Sequence, residues 1–489
     1  MNATGIARAV VAVAVGAGMV WGAGQATGTV DTTRRSDARQ LRDDATSSAL
    51  RQVSLSCPGP DRAGAAGSGG QGQSVTVLAA SAPAALLGGT GSGGASSGGT
   101  VTLTGAGGRT TDVAIRRGGV GSATVSGAVA PTLQARGGLA PGLAGSQAGL
   151  TDDSSGRGLT LAACGAPVRD GWLFGGGTDK GRVARLVVAN PGATPVTVDA
   201  AVLGASGVDA GKSVKGTVLA PGERKVLVLG AFGPALASAA IHVTATGGGV
   251  VAALTDAWMS GETAVGEATA GPATRPAKSL VIPGVSASTA APQVRVAVPG
   301  SEDAIVRVQA VSTSGAVAAD TVQTVPAGSA GAVTLSGLAA GTYALRVTAD
   351  VPVAAAALSR TGPTGTTDIA WAPAADAVAG LTGGALPTAV PGARSALMLV
   401  APKGVTVDVQ TVTAGGSHTS RVALRADRPL EQQLPSDVRA VWVRPAGTAA
   451  VHAAVTVRGK DAKGALLATM PLQPVSTSGT SVSMVPARD

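Results

Sequence analysis

The chain has 489 residues, of which 13% are charged and only 2% are aromatic, and its formal net charge is +9. That length can hold three or four domains of ordinary size. The positive charge is spread along the sequence, and its densest clusters, around Arg34–Arg35 and at Arg116–Arg117, have almost no aromatic neighbours that could stack on bases. We therefore expect no nucleic-acid binding. Solvated surface charge explains these arginines, and a loose attraction to anionic envelope polymers or lipid head groups stays open.

The N-terminus has the layout of a secretion signal. Residues 9–24 form one apolar stretch, and Arg8 precedes it. The stretch is about 16 residues long, whereas roughly 20 cross a bilayer comfortably. A cleaved signal peptide and an uncleaved anchor both fit, and the weak cleavage site near Ala26 favours the anchor. We predict a signal peptide or membrane anchor over 1–26, a polar stalk over 27–50, and a protein that is extracytoplasmic and membrane-anchored, or secreted if the signal is removed.

The sequence contains two cysteines, Cys57 and Cys164, each beside a short apolar strand candidate. An even pair in an exported chain favours a disulfide over two free, buried thiols. Such a bond would pin the two ends of a β domain over 51–167, here called the cysteine domain. In the loop-entropy description, closing so long a loop stabilises the fold by at most about 4–5 kcal/mol. The two distant cysteines and three scattered histidines have no metal-ligand spacing, so we expect no metal and no other cofactor.

A strand pattern recurs three times, roughly every hundred residues. Each copy has an alternating strand, a Pro/Gly-rich bend and a second alternating strand, beginning at Arg185, Val294 and Ala396. In the first copy, Val196 and Val198 alternate with polar residues, the period of a half-buried strand. The strand pairs that end each copy also align. Duplicated domains of about 90–110 residues with about seven strands fit an immunoglobulin-like sandwich, whereas propeller blades would need about 40–50 residues.

The predicted fold class is therefore all-β, with tandem immunoglobulin-like β-sandwich modules after an N-terminal membrane segment. Module 1 spans 168–279, module 2 spans 280–390 and module 3 spans 391–489. A flexible Gly/Ser-rich loop is predicted from Gly88. Helical signal is nearly absent beyond the N-terminus, apart from a single turn near Phe232.

The run GWLFGGGTDKGRVARLVVANPGATPVTV from Gly171, with the sequences around Cys57 and Cys164, resembles exported actinobacterial proteins classed only as a domain of unknown function. The resemblance is most specific at six positions: Trp172, Gly175, Gly176, Arg182, Asn190 and Pro191. It implies an N-terminal membrane segment, a small cysteine-containing region and a β-rich remainder. The resemblance implies no catalytic residues.

The motifs of common enzyme classes are missing from the sequence. The Gly-rich run from Phe174 precedes a strand and not a helix, so we interpret it as a turn rather than a phosphate cradle. His242 and His452 lie inside apolar strands and are interpreted as core or edge residues. Asp152 and Asp153 are interpreted as a polar turn, because a calcium loop supplies more oxygen ligands at fixed spacing.

Asp256 and Glu262 flank Trp258, and a carboxylate pair near an aromatic ring can serve glycan hydrolysis. Nothing in the sequence fixes the separation of these carboxylates. We therefore expect that the protein is not an enzyme.

The most conspicuous side chains in so aromatic-poor a chain are four tryptophans: Trp172, Trp258, Trp371 and Trp442. They fit two roles, anchors in an interdomain seam or exposed faces that stack on sugar rings. Trp258 and Trp371 recur at matching links between modules, which favours the seam.

The resulting hypothesis is a non-catalytic, extracytoplasmic cell-envelope protein that acts as a binding or scaffolding module. Its expected partner is an envelope protein or a cell-wall glycan, with membrane contact through the N-terminal segment. The alternatives are an accessory module of a carbohydrate-active enzyme and a membrane-anchored envelope regulator.

Overall fold

The computed structural model describes residues 47–48, 50–63, 65, 73–87, 99–105, 108–153, 156–231, 236 and 239–480. The predicted membrane segment, nearly all of the stalk, most of the Gly88 loop and the turn near Phe232 lie outside these residues. The chain divides into two compact units, residues 49–477 and residues 1–48 with 478–489. In the smaller unit, the described residues form one antiparallel pair, Ser47–Ser48 with Gly479–Thr480.

The larger unit is all-β, and strand accounts for 63% of the structure. Two single turns of 3-10 helix occur among the described residues, Ala84–Leu86 and Leu229–Ala231. The described ranges contain no helix long and apolar enough to cross a membrane.

The strands of the larger unit fall into four sets. Those of the cysteine domain are Gln52–Ser56, Ser74–Ser81, Gly99–Thr104, Thr110–Asp112, Val120–Ser126, Thr132–Gly137, Leu143–Asp153 and Gly156–Cys164. Those of module 1 are Asp170–Gly175, Arg182–Ala189, Val196–Gly204, Gly207–Leu219, Arg224–Val228, Ala239–Thr246, Val251–Ser260 and Thr263–Ala270.

The strands of module 2 are Ala277–Ala287, Gln293–Ala297, Ala304–Val311, Val317–Val325, Ala330–Thr334, Gly341–Arg360 and Ile369–Pro373. Those of module 3 are Thr382–Ala385, Arg394–Val400, Val405–Thr413, Gly416–Leu424, Leu430–Gln433, Ala440–Pro445, His452–Asp461, Gly464–Pro471 and Gln473–Pro474. Two strands differ from the predicted bounds. Ala277–Ala287 begins before 280, and Thr382–Ala385 pairs with Ala440–Pro445 of module 3 although the prediction placed it in module 2.

All four sets share one topology of two antiparallel sheets. The first sheet joins the fourth, third, sixth and first strands, and the second joins the fifth, second, seventh and eighth. In module 3 the ninth strand, Gln473–Pro474, extends the first sheet by pairing with the first strand. In module 2 the single strand Gly341–Arg360 supplies both the sixth and the seventh position. Its first part pairs with Ala304–Val311 and its second part with Gln293–Ala297, so this strand passes from one sheet to the other. Because Gly341–Arg360 counts as both the sixth and the seventh position, Ile369–Pro373 is called the eighth strand of module 2.

The cysteine domain is thus a fourth copy of the pattern that the sequence revealed three times. Its second and third strands are separated by the long Ala/Gly/Ser-rich connection over 82–98, where the other modules have a short Pro/Gly bend. That insertion hides the repeat. Each copy also has an eighth strand position, one more than the predicted number.

Alternating burial shapes the sandwiches as the sequence pattern predicts. In the third strand of module 1, Val196, Val198 and Ala200 are buried while Thr197 and Asp199 are exposed. The buried face packs with other Val, Leu and Ala side chains, because the composition supplies few aromatic residues. Most of the apolar stabilisation therefore comes from many small contributions, at about 25 cal/mol per Å² of buried apolar surface.

The predicted disulfide between Cys57 and Cys164 is confirmed, with a Cα–Cα distance of 4.3 Å. Cys57 directly follows the first strand of its domain and Cys164 ends the eighth. Next to the bond, Ser56 and Gly165 exchange two backbone hydrogen bonds of 2.9 and 3.0 Å. The bond therefore closes the domain end to end.

The eighth strands also connect the sandwiches to one another. Gly156–Cys164 packs on Thr263–Ala270, which packs on Ile369–Pro373 of module 2. Ile369–Pro373 in turn packs on Gly464–Pro471, and this strand of module 3 returns to Gly156–Cys164. The four sandwiches therefore meet at their eighth strands in a closed order.

Candidate functional site

Asp368 lies where the four eighth strands meet, and its side chain is fully buried. Its Oδ2 accepts hydrogen bonds from the backbone N–H groups of Leu159 at 3.0 Å and Leu467 at 2.9 Å. Its Oδ1 accepts from Ile369 at 2.8 Å and Glu267 at 3.4 Å. These four donors belong to the cysteine domain, module 3, module 2 and module 1. One carboxylate is therefore bonded to the backbone of all four sandwiches; we call this site the central junction.

Two glycines allow the strands to approach Asp368. A Cβ on Gly158 would lie 2.4 Å from the backbone N of Glu267 and 2.8 Å from Oδ1 of Asp368. Gly266 has a φ of +151°, and a Cβ there would lie 2.4 Å from the backbone N of Ile369. Contacts that short do not occur between real atoms, so any side chain at either position would push the strands apart.

The environment of Asp368 acts on its pKa in two directions. Burial raises the pKa of Asp368 to about 8, because it removes water from the charged form. The four backbone N–H groups pull the pKa down, because each hydrogen bond favours the carboxylate. Burial is the larger effect.

A buried ion cluster joins the cysteine domain to module 1 beside the central junction. Arg185, on the second strand of module 1, donates from Nε to Asp61 at 2.5 Å and from Nη2 to Glu267 at 2.8 Å. Arg62 donates from Nη2 to the other Glu267 oxygen at 2.5 Å. Burial would raise the pKa of Asp61, but Arg185, Gln73 and Arg62 outweigh it and hold that pKa below its usual range.

The segment that follows Cys57 is held against module 1 by Arg224. The Arg224 guanidinium donates to the carbonyl oxygens of Pro58 at 3.0 Å, Ala63 at 2.9 Å and Pro60. Burial lowers the pKa of Arg224 to about 10. Because this segment contributes Asp61 to the ion cluster, its fixed backbone also places that carboxylate.

Arg157 links the cysteine domain to modules 2 and 3. Its side chain is almost fully buried, and Nη2 donates to Asp461 at 2.7 Å. Nη1 donates to the carbonyl oxygens of Ala465 at 3.0 Å and Thr367 at 3.3 Å. The guanidinium therefore contacts the backbone directly before Asp368 and the hairpin that precedes the eighth strand of module 3.

Two of the four tryptophans singled out in the sequence lie in an apolar cluster that modules 1 and 2 share. Trp172 is 4% exposed and Trp371 is 1% exposed. Trp371 Nε1 donates to Asp256 at 2.9 Å, and the same Asp256 oxygen accepts from Arg182 at 2.9 Å. Trp172 stacks on His242, with ring centroids 4.4 Å apart and an interplanar angle of 8°. Buried rings such as these leave no free face for a sugar.

The other two tryptophans differ from each other. Trp258 is half-buried and packs against the same cluster, and the guanidinium carbons of Arg182 and Arg360 lie 4.2 and 4.6 Å from its ring centroid. Trp442 is fully buried in the core of module 3, where its ring lies over Gly383. The functional role predicted for the four tryptophans stays a prediction.

Trp258 and Trp371 are not at equivalent positions, although the sequence aligned them. Trp258 lies on the seventh strand of module 1 and Trp371 on the eighth strand of module 2. The alignment fails because the eighth strand was not recognised in the Gly/Ala-rich sequence, so the linkers were counted from different strands.

The two carboxylates considered for catalysis, Asp256 and Glu262, lie in different environments. Asp256 is fully buried between Arg182 and Trp371, whereas Glu262 is exposed in a turn. Asp152 and Asp153 end a strand rather than forming the predicted turn. They pair with Lys463 at 2.6 Å and Arg62 at 3.3 Å.

The histidines are also engaged. His242 Nε2 lies 3.1 Å from Asp170, and His452 Nδ1 lies 2.8 Å from the carbonyl oxygen of Ala375. Burial lowers the pKa of His452. Across the described part of the chain, no three His, Cys, Asp or Glu side chains are grouped so that they could hold a metal ion.

Sequence reasoning missed the polar residues of the junction. Asp368, Glu267 and Arg157 are single charged residues in or beside apolar strands of a chain with few charges. That scarcity was the available signal, since a buried charge in an apolar strand requires a partner. The sequence offers no indication of which partners they take.

These features define a class of protein: an all-β chain of tandem β-sandwiches whose eighth strands enclose a buried polar junction. The chain belongs to the Family of unknown function (DUF5719), whose profile matches residues 120–431. The predicted resemblance is confirmed at the level of that family, while its actinobacterial range and membrane anchoring stay predictions. No curated protein matches the chain.

Several solved structures show weak similarity to the chain. A two fibronectin type-III domain segment from chicken tenascin is 13% identical, over 40% of this chain and 99% of that one, with a TM-score of 0.10. A tetra-tandem repeat from the extending region of a large adhesion protein is 14% identical, over 77% and 91%, with a TM-score of 0.11. A Bacteroides uniformis β-glucuronidase is 10% identical, over 40% and 26%, with a TM-score of 0.10. TM-scores this low carry no argument about function.

Proposed function

We propose that the protein is a non-catalytic, extracytoplasmic cell-envelope protein made of tandem immunoglobulin-like sandwiches, acting as a rigid binding or scaffolding platform for protein or glycan. The observation that carries this proposal is the central junction, where the buried charged groups connect sandwiches to each other. The Cys57–Cys164 disulfide supports export, because such bonds persist in oxidising compartments. The N-terminal apolar stretch is proposed as the membrane anchor.

The placement of the carboxylates argues against a hydrolytic site built from them. A general acid or base must reach its substrate directly or through one water molecule. Asp256, Glu267 and Asp368 have no exposed surface, and each is bonded to groups of a neighbouring sandwich. These carboxylates therefore bind groups at the contacts between sandwiches and do not face a substrate in solvent.

The same contacts support a rigid platform. Removing one partner from a buried ion pair costs about 3–5 kcal/mol, because an uncompensated charge stays behind. A hinge motion between the cysteine domain and module 1 would separate Arg185 from Asp61 and Arg62 from Glu267. Such a motion would also remove donors from Asp368. The platform would hold its outer surfaces at fixed positions relative to each other.

Binding to the envelope is tested with the full chain, produced under oxidising conditions. The protein is sedimented with purified cell walls before and after the wall polysaccharide is stripped, and heat-denatured protein is the control. Binding that disappears on stripping supports a glycan partner. A protein partner is sought by crosslinking in intact membranes. The proposal is wrong if the folded protein neither binds walls nor crosslinks to any envelope protein.

A further inference from the structure

A cleft of about 460 Å³ lies between the cysteine domain and module 3. One wall is the connection over 114–120, between the fourth and fifth strands of the cysteine domain. The other wall is the hairpin turn over 412–416, between the third and fourth strands of module 3, together with Arg439. The cleft is separate from the central junction and shares no residue with it.

Two arginines from different sandwiches line this cleft, Arg116 and Arg439. Both are exposed, and within the described ranges neither guanidinium has a hydrogen-bond or ion-pair partner. The described lining residues include no acidic side chain. Two unpaired guanidinium groups in one concave site create a positive potential that favours an anion.

Arg116 and its sequence neighbour Arg117 have different roles. Arg117 Nη1 donates to Ser81 Oγ at 2.8 Å and to the carbonyl oxygens of Pro141 at 2.8 Å and Ala82 at 3.1 Å. Burial lowers the pKa of Arg117. Arg117 therefore holds the loop in place, while Arg116 lines the cleft.

The backbone at both cleft arginines is also fixed. Arg439 N–H donates to the carbonyl of Val412 at 2.7 Å, and its own carbonyl accepts from Leu386 at 2.7 Å. The carbonyl of Arg116 accepts from Gly119 at 2.9 Å, which closes a turn. Both side chains start from ordered backbone, so a ligand would not have to order the loops.

We infer that this cleft binds an acidic glycan, with its carboxylate or phosphate oxygens placed between Arg116 and Arg439. The guanidinium fork matches the geometry of both kinds of oxyanion. The volume lies within the range of about 300–1,000 Å³ typical of small-ligand sites. The small residues Gly118, Gly119 and Gly415 also line the cleft. This inference rests on the proposed function and names the ligand class of the platform.

The test is calorimetric titration of the full chain with two acidic probes and a neutral one. A galacturonate oligomer carries carboxylates, a phosphorylated mannose oligomer carries phosphates, and a dextran oligomer carries no charge. We expect at least one acidic probe to bind, more weakly at high salt, and the dextran not to bind. Whichever acidic probe binds better identifies the source of the oxyanion.

Substitutions locate the binding. Arg116→Gln and Arg439→Gln should each weaken binding about tenfold or more, because each removes charge-assisted hydrogen bonds. Arg425→Gln is the matched control, since Arg425 is an exposed arginine of module 3 outside the cleft. The control should leave affinity unchanged. Equal losses in all three variants, or no binding of either acidic probe, would overturn the inference.

Wall sedimentation separates this inference from the proposed function. The inference is wrong and the proposed function stands if the Arg116→Gln, Arg439→Gln double variant binds walls as well as the unmodified protein. If the unmodified protein binds neither walls nor an envelope protein, the proposed function fails. The titrations still decide whether the cleft takes an acidic glycan.

Discussion

Replacing the buried Asp368 by Asn should destabilise the larger unit more than a carboxylate-to-amide change at an exposed position. The carboxylate accepts four backbone N–H groups, two on each oxygen. An asparagine side chain has only one oxygen that can accept, and its NH₂ group would face two of the four backbone N–H donors. If the oxygen takes the Oδ1 position, the N–H groups of Leu159 and Leu467 lose their acceptor. Each buried, unsatisfied donor costs about 1–3 kcal/mol, so two predict a loss of about 2–6 kcal/mol.

Urea denaturation at pH 9, where Asp368 is ionised in the folded protein, measures this loss with the disulfide intact. Tryptophan fluorescence is a suitable signal, because Trp371 lies on the same strand as the junction. The linear dependence of unfolding free energy on urea converts a midpoint shift into a free-energy difference. Asp437→Asn is the matched control, since Asp437 is exposed in a loop of module 3. The control should stay within about 0.5 kcal/mol of the unmodified protein.

A change below about 0.5 kcal/mol for Asp368→Asn would refute the reasoning. It would mean that the four N–H groups find other acceptors or that the strands are held by apolar contacts alone. A loss of the expected size without any change in Asp437→Asn would tie the stability to the central junction.

Three further outcomes follow from the same structure. The pKa of Asp368 is raised to about 8 in the folded protein and is near 3.9 in the unfolded chain. Its contribution to stability should therefore decline between about pH 4 and pH 8 and then level off. Urea midpoints at pH 6 and pH 9 should differ more in the unmodified protein than in Asp368→Asn, and equal differences would contradict this. Gly266→Ala should cost about 2 kcal/mol or more, since its Cβ would strike backbone, whereas Gly271→Ala, with open space around it, should cost less; similar midpoints for the two variants would show that the strand spacing is not tight. Replacing Cys57 and Cys164 together by Ser should lower the free energy of unfolding by up to about 4–5 kcal/mol, and a variant as stable as the oxidised protein would show that the crosslink adds nothing.

The all-β class and the disulfide could be predicted because both have local signals. Alternating residues such as Val196 and Val198 mark strands, and a lone cysteine pair in a chain expected to be exported indicates one bond. The fourth copy of the repeat could not be predicted, because the connection over 82–98 replaces the bend that marks the other three. The eighth strands of modules 1 to 3 were missed because they are rich in Ala, which weakens their period.

The central junction could not be predicted because its partners are remote in sequence. Asp368 bonds to Leu159, 209 residues away, and to Glu267, 101 residues away. No spacing rule relates such positions in a single sequence. The closeness of the strands depends on Gly158 and Gly266, which are two of 73 glycines in the chain. Their importance appears only when the neighbouring strand is in place.

The closed order of the eighth strands has a consequence for how the molecule resists proteolysis. In a linear row of sandwiches, one cut in a linker leaves two fragments joined by a single contact. Here the cysteine domain also packs on module 3, so a cut between modules 1 and 2 leaves each fragment touching the other at two places. The nicked chain would have to break both contacts at once to fall apart. A chain cut at one exposed linker would therefore stay assembled under conditions in which a linear row, held by one contact, would separate.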